Sequence, residues 1–401
     1  MSLVSDEFRL KRAWNYSLPR VPAELLPVVY GTMSGGSGGL WACPCISTGG
    51  YVYAVAGHPV LSPAQGNTVT VYNKDGAVIS AGDYTFAASN EYEGQEAIAT
   101  LTFTSDQSAN EPISIRCQGK SSAGVMIENP VDIVEDFLIN LAGFTAEDLD
   151  QTWLERARSV TRASGLKLSG LIDQNQTVGA VLSGMLFPWG DWWRDKNGCI
   201  RLRAEAGPGS YPESEVAGYF PARVTEQARI EAATGALVNQ AEAEYGYNFL
   251  KNCFEAGDDG ASSADLLSQS VYGIQKGRFQ LKWVRETGVA QKIQANLISR
   301  FKTPALIVTL RDQDCKNIRL ERGDLAAVSL SWFYDQDRLP LANQLMKVLE
   351  VETDFINRKM SFRLQGLGRG LFLTKAYPAD GSRPAGGSTR AGGDRDRTEY
   401  Y

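Results

Sequence analysis

The sequence predicts an α+β protein that is predominantly β: two β-barrel- or sandwich-like units, a small helical insertion between them and a flexible C-terminal tail. Three observations carry this. Apolar residues recur with a period of two over residues 51–124 and again over 305–364. Between them, residues 126–210 switch to helical spacing and then give a hairpin signal. Residues 376–401 are rich in Gly, Asp and Arg and hold too few apolar side chains to build a core. The expected boundaries are an extended arm and Gly-rich connector (1–50), a β domain (51–125), the helical insertion with its hairpin (126–210), a second β domain with one helix at 287–302 (211–375) and the tail (376–401).

In chain order, Pro19, Pro22 and Pro27 punctuate the arm, which has room for at most one helical turn. The connector that follows holds Trp41 and Cys43-Pro44-Cys45. Strands are then expected around Val52, Ala54 and Ala56, around Val69 and Val71, around Leu101 and Phe103, and around Ile113, Ile115 and Cys117, with Asn73-Lys74-Asp75-Gly76 as a turn.

The insertion opens with a short amphipathic helix. Asn129 is placed to cap it, Pro130 suits the first helical position, Asp132 and Glu135 suit the positive end of the helix dipole, and Gly143 suits the left-handed residue past its end. Ile133, Val134, Phe137, Leu138 and Leu141 share one side, so this helix docks on something larger. A second helix is expected to open at Thr145-Ala146-Glu147-Asp148 and run to Ser164-Gly165, with Trp153, Leu154, Ala157 and Val160 as its apolar stripe. A strand over 166–172 and a helix over 178–187, capped by Thr177 and stopped by Pro188, come next. Trp189, Trp192 and Trp193 then lead into Asp195-Lys196-Asn197-Gly198, whose Asn-Gly step favours a hairpin.

Beyond a Gly/Pro/Glu-rich loop at 204–217, strands are expected over 219–230, 241–253 and 279–284, with a polar loop through Gly257-Asp258-Asp259-Gly260. A helix over 287–302 ends before Pro304, and strands over 306–310, 325–330, 345–351 and 360–364 complete the second β unit, with Gly323-Asp324 as a turn.

Composition narrows the function. The net charge of −6 gives no overall footprint for gripping nucleic-acid phosphates, and no stretch approaches the roughly 18 continuous apolar residues needed to cross a bilayer. With Asp6 and Glu7 where a signal peptide needs positive charge, the chain is expected to stay in the cytoplasm where it is made until it assembles. Residues 121–155 carry Glu128, Asp132, Glu135, Asp136, Glu147, Asp148, Asp150 and Glu155 without a Lys or Arg. Solvated helix faces and acidic first turns account for such a run.

No catalytic set emerges, and the chain is read as a non-enzyme with no cofactor. Gly35-Gly36-Ser37-Gly38-Gly39 has the hydrolase spacing but lacks the strand and helix that make a nucleophile turn, and the single histidine, His58, follows Ser37 with no acid between them. Gly119-Lys120-Ser121 resembles the end of a phosphate-binding loop, but Ser114 stands where its first glycine belongs. The carboxylate pairs Glu135-Asp136, Asp258-Asp259 and Glu350 with Glu352 are the material of a glycosidase, yet 46 acidic residues supply such pairs by chance. Of the six cysteines, Cys43, Cys45, Cys117, Cys199, Cys253 and Cys315, only Cys43 and Cys45 are close enough in sequence to be metal-ligand candidates, and four ligands would require two more from elsewhere. The default is reduced thiols, several of them in the core. Trp189, Trp192 and Trp193, with Tyr400 and Tyr401 at the end of the sequence, are the interface candidates, and the tryptophans also have the composition of a sugar-stacking platform.

A resemblance enters at these residues. The order of residues 129–144, then 165–203, then 296–310, 320–330 and 348–366 resembles the baseplate hub or tail-tip hub proteins of long-tailed bacteriophages and related gene-transfer particles, over roughly residues 125 to 375. It rests on the order and spacing of elements. The resemblance implies a virion component of the tail tip, assembled in the host cytoplasm as a homotrimeric ring. Its implied partners are the tail tube and distal tail protein above, the central fibre or spike below, and the tape-measure protein and DNA passing through its channel. An acidic channel wall, past which DNA slides without sticking, is an expectation of the same origin. The alternatives kept beside it are a receptor- or carbohydrate-binding tail protein and, third, a tail-associated glycan hydrolase.

Overall fold

The computed structural model describes residues 26–33, 42–49, 51–92, 95–172, 177–187, 189–205, 216–221, 228–233, 237–312, 317–334, 340–354, 356 and 359–367. Residues 1–25 of the expected arm, residues 34–41 of the connector with Ser37 and Trp41, the tail (376–401) with Tyr400 and Tyr401, and Cys315 lie outside them.

The first β unit is a sandwich. One sheet pairs Ile46–Ser47, Val52–Ala56, Gln95–Phe103 and Tyr84–Tyr92, and the other is built around Ser114–Gln118, which bonds Thr32–Met33, Cys43–Pro44 and Thr70–Tyr72. Tyr53, Val55, Leu101 and Phe103 from the first sheet share a core with Met33, Cys43, Val71, Ile115 and Cys117 from the second, as the period-two pattern requires. At the expected turn the Asn73 side chain accepts the N–H groups of Asp75 and Ala77.

The helical block follows the sequence closely at its caps. Helix α1 (Pro130–Asp136) has the Asn129 side chain accepting from the Val131 N–H, and it continues into one π turn, Phe137–Leu141, before Gly143. Helix α2 is shorter than expected: Thr145 and Asp148 close a separate capping-box turn, and α2 itself (Gln151–Ser164) starts at Asp150, whose carboxylate accepts from Thr152 and Trp153. The strand expected over 166–172 reduces to Gly170–Ile172, and α3 (Val178–Leu186) starts at its Thr177 cap. Strands Gly190–Arg194 and Ile200–Ala204 form the hairpin.

The expected second β unit over 211–375 divides in two. Strands Gln240–Asn248, Cys253–Asp258 and Lys276–Gln280 form a three-stranded sheet, and its Ala243 and Tyr245, with Leu281 and Val284 beyond it, pack into the core of the helical block, as does α5 (Thr287–Phe301). A short helix, α4 (Leu266–Tyr272), occupies a stretch in which the sequence reading places no element. The remaining strands, Val216–Phe220, Leu325–Tyr334, Pro340–Asp354, Lys359–Gly366, Ala305–Asp312 and Arg229–Ala233, form one six-stranded sheet in that order. The single strand expected over 219–230 is therefore two strands, at opposite edges of this sheet. The sheet curls over its own core, with the Phe220 ring 5.1 Å from that of Phe362, but no hydrogen-bonded pairing joins its first and last strands, so it is not a closed barrel.

A two-stranded ribbon, Val28–Tyr30 paired with Gly170–Ile172, sits between the sandwich and the helical block. Its side chains alternate between them: Val28, Tyr30 and Ile172 enter the helical core, whereas Val29 and Leu171 enter the sandwich core. Each such apolar side chain contributes on the order of 1.5–3 kcal/mol by leaving water.

Candidate functional site

The tryptophan hairpin is the centre of a joint between the helical block and the six-stranded sheet. Trp189 is fully buried and its indole N–H donates to the Met185 carbonyl at 2.6 Å, fixing the end of α3 to the start of the hairpin. Trp192 is half-buried and lies near α3 at Gly179. Trp193, on the other face of the strand, stacks edge-to-face on Trp153 of α2 at 5.2 Å. The turn at Gly323 lies directly over Trp193: a Cβ there would sit 2.3 Å from the ring, and φ is +88°, so only glycine is free of strain at this position. Two of the three tryptophans are thus internal packing, which removes the sugar-stacking platform.

Ions surround these rings. Arg201 of the hairpin reaches Asp150 at 3.0 Å, Asp195 at 3.2 Å and, across the joint, Glu321 at 3.2 Å. Lys196 also reaches Glu321, at 3.2 Å. The Arg203 guanidinium lies 4.5 Å from the Trp153 ring. At the other side of the joint, Lys347 of the sheet sits between Glu205 at 2.7 Å and Asp191 at 3.2 Å, and Glu205 also pairs with Arg300 of α5. Glu205 and Lys347 are both buried. Burial pushes the Asp324 carboxyl above its ordinary value, against the opposing pull of the Glu321 N–H and of Arg201. This arrangement holds three elements in one geometry. Sequence reasoning missed Glu205, Arg300, Glu321 and Lys347 because their partners lie on distant elements and no local spacing announces them.

The joint between sandwich and helical block is different. His58 is buried; its Nε2 accepts the Val29 N–H at 2.9 Å, which leaves the ring proton on Nδ1 to donate to the Pro59 carbonyl at 2.8 Å. Burial holds its pKa down at about 4. Tyr30 donates to Asp136 at 2.6 Å, and Lys120 joins the same carboxylate at 2.8 Å. Arg285, buried between the two cores, lies 5.2 Å from the Phe249 ring and donates to the Ser169 carbonyl, and burial lowers its pKa to about 10.

The acidic run is largely engaged internally. Arg158 bonds Asp132, Glu135 and Glu155 together, Lys167 holds Glu128, Lys120 holds Asp136, and Asp148 and Asp150 serve as caps. Of the glycosidase-like pairs, Glu135 and Asp136 are therefore committed to Arg158 and Lys120, and hydrogen bonding from the Gly260 N–H holds Asp258 below its usual range. Cys43 lies inside the sandwich core. Burial pushes the thiols of Cys45 and, to about 12, Cys117 upward, away from the thiolate form that metal binding requires. Among the described residues no three His, Cys, Asp or Glu side chains come together as a metal site, and no helix is long and apolar enough to cross a membrane.

A groove of about 320 Å³ lies between α3, the strand Gly170–Ile172 and the three-stranded sheet. Ala180 and Gly184 line it from α3, with Phe187, Tyr247, Phe254 and Trp283 as aromatic walls. Lys282 also lines it, its ammonium 4.8 Å from the Tyr247 ring.

The sequence matches no protein-family model and no curated protein. Among solved structures, the chain is similar to prophage tail protein gp18 from Listeria monocytogenes EGD-e, with 11% identity over 76% of this chain and 85% of that one and a TM-score of 0.33. It is similar to the 43 kDa tail protein of prophage MuSo2 from Shewanella oneidensis, with 11% identity over 75% and 89% and a TM-score of 0.37. It is also similar to a tail protein from Neisseria meningitidis MC58, with 9% identity over 75% and 87% and a TM-score of 0.34.

Proposed function

We propose that this chain is a structural, non-enzymatic component of a phage tail tip or baseplate: a central hub whose copies, three to a ring, join the tail tube and distal tail protein to the central fibre or spike and leave a channel for the tape-measure protein and DNA. One observation carries the reading. The separate stretches that resemble tail-tip hub proteins come together in space as one unit. Residues 129–144 and 165–203 supply α1, α3 and the hairpin, residues 296–310, 320–330 and 348–366 supply parts of four strands of the six-stranded sheet, and they meet where Trp193 packs under Gly323. A scaffold that transmits load between neighbours needs such a joint to be fixed in geometry, and buried ion pairs fix geometry at some cost in stability.

The test is a cryo-EM reconstruction of the tail ends of particles containing this chain, refined with and without threefold symmetry. Three copies around an open axis are expected. Copies lying away from the axis, or particles without the chain, would end the hub reading.

A further inference from the structure

The groove beside α3 is equipped for an extended peptide. Val29 spends its N–H on His58 and its C=O on the Lys120 N–H, so its pairing with Leu171 across the ribbon is a non-hydrogen-bonded one. The N–H and C=O of Leu171 therefore point to the opposite edge of the ribbon. Two residues earlier, Ser169 uses that same edge to bond the Trp283 carbonyl. Leu171, 2 % exposed, itself lines the groove, and none of the described residues bonds its main chain on that edge. The aromatic walls and the small-residue floor of Ala180 and Gly184 suit a large flat side chain. Lys282 makes its close contacts with the faces of Tyr247 and Phe249, at 4.8 and 5.0 Å, and no described carboxylate pairs with it. A main-chain edge, an aromatic pocket and one cation without a carboxylate partner among the described residues select an extended segment that carries an aromatic ring beside a carboxylate.

We propose that the occupant is Glu399-Tyr400-Tyr401 of this chain, with the Glu399 carboxylate against Lys282, tyrosine rings among Phe187, Tyr247 and Phe254, and the main chain of the segment bonded to Leu171. Opposite charge and aromatic character in adjacent residues suit this segment; Asp6-Glu7-Phe8 has the same pairing with a single ring, whereas Tyr400 and Tyr401 offer two rings to a groove with several aromatic walls. About 30 residues separate it from Leu367, a tether of up to roughly 100 Å when extended, which leaves the groove of its own copy and that of a neighbour both open to it. The inference does not depend on the hub reading.

The experiment uses the full chain with the photoreactive residue benzoylphenylalanine in place of Tyr400, irradiation and peptide mapping. Cross-links are expected on the peptides that hold Phe187 or residues 247–282. Lys282→Glu is expected to lower their yield at least fivefold, and adding Glu399→Lys to that variant to restore it. Cross-links that map elsewhere, or a yield indifferent to Lys282→Glu, overturn the proposal, and the mapping on the chain with native Lys282 decides the matter even if the charge variants misfold. A mixture of isotopically light and heavy chains tells an intramolecular dock from one between copies, and both agree with the proposal.

Discussion

The ribbon joins the sandwich to the helical block by threading alternate side chains into two apolar cores, whereas the tryptophan hairpin joins the same block to the six-stranded sheet through charges arranged around one ring and one glycine turn. The first joint draws on burial, which is non-directional and tolerates small shifts. The second draws on pairs whose attraction must offset the cost of taking Glu205 and Lys347 out of water, so it is satisfied in one arrangement only. A single chain thus uses cohesion where two cores must stay together and geometry where two units must keep a fixed angle.

Breaking the ionic joint at its most buried point is expected to have the largest effect. Glu205→Leu leaves Lys347 with Asp191 alone and is expected to cost about 3 kcal/mol, the low end for breaking a buried pair. The double variant Glu205→Leu with Lys347→Met should recover most of that loss, and urea unfolding of the three proteins measures it. A double variant as unstable as the single one would mean that the pair adds net stability and does not merely fix geometry.

The apolar joint has its own sensitive point. His58 has a folded pKa of about 4 against an ordinary 6.5, so the fold favours the neutral ring. Its contribution is complete above about pH 6.5 and is lost as pH falls from there to about 4, by at most about 3 kcal/mol. Stability measured across that range should fall less steeply in His58→Gln, whose amide oxygen still accepts from the Val29 N–H. Parallel curves would show that carboxylates account for the whole slope.

One added methyl group tests each joint equally. Gly323→Ala meets Trp193 and also demands a left-handed alanine, so a loss of about 2 kcal/mol is expected; Gly170→Ala meets the Trp283 ring at 2.6 Å without a positive φ and should cost nearer 1 kcal/mol. Thermal unfolding of the two variants gives the order, and the reverse order would make the ribbon the stiffer joint. The smallest effect belongs to the Lys196–Glu321 pair, whose lysine is exposed, where Lys196→Ala should cost less than about 1 kcal/mol and less still in 1 M salt.

The parts of this fold legible in the sequence were those fixed by neighbours along the chain. Asn129, Thr177 and Asn197-Gly198 act on groups within a few residues, and each does so where the pattern places it. Misread parts depended on distance. Nothing between Tyr219 and Ile230 announces that the chain leaves one edge of a sheet and returns at the other, because that is decided by Leu325–Tyr334 and Ala305–Asp312. The acidic run read as exposed because its main cation, Arg158, lies just beyond it. The candidate groove was invisible for the same reason: Phe187, Tyr247 and Lys282 are strangers in sequence.

The alternation of the ribbon has a further consequence, for modularity. A slip of one residue would present Tyr30 to the sandwich and Val29 to the helical core, and would part Tyr30 from Asp136. Register in three residues of strand is therefore shared property of two units, and neither half is a transplantable part. Swapping the sandwich for that of another protein would succeed only if the donor brought its own partner strand with it.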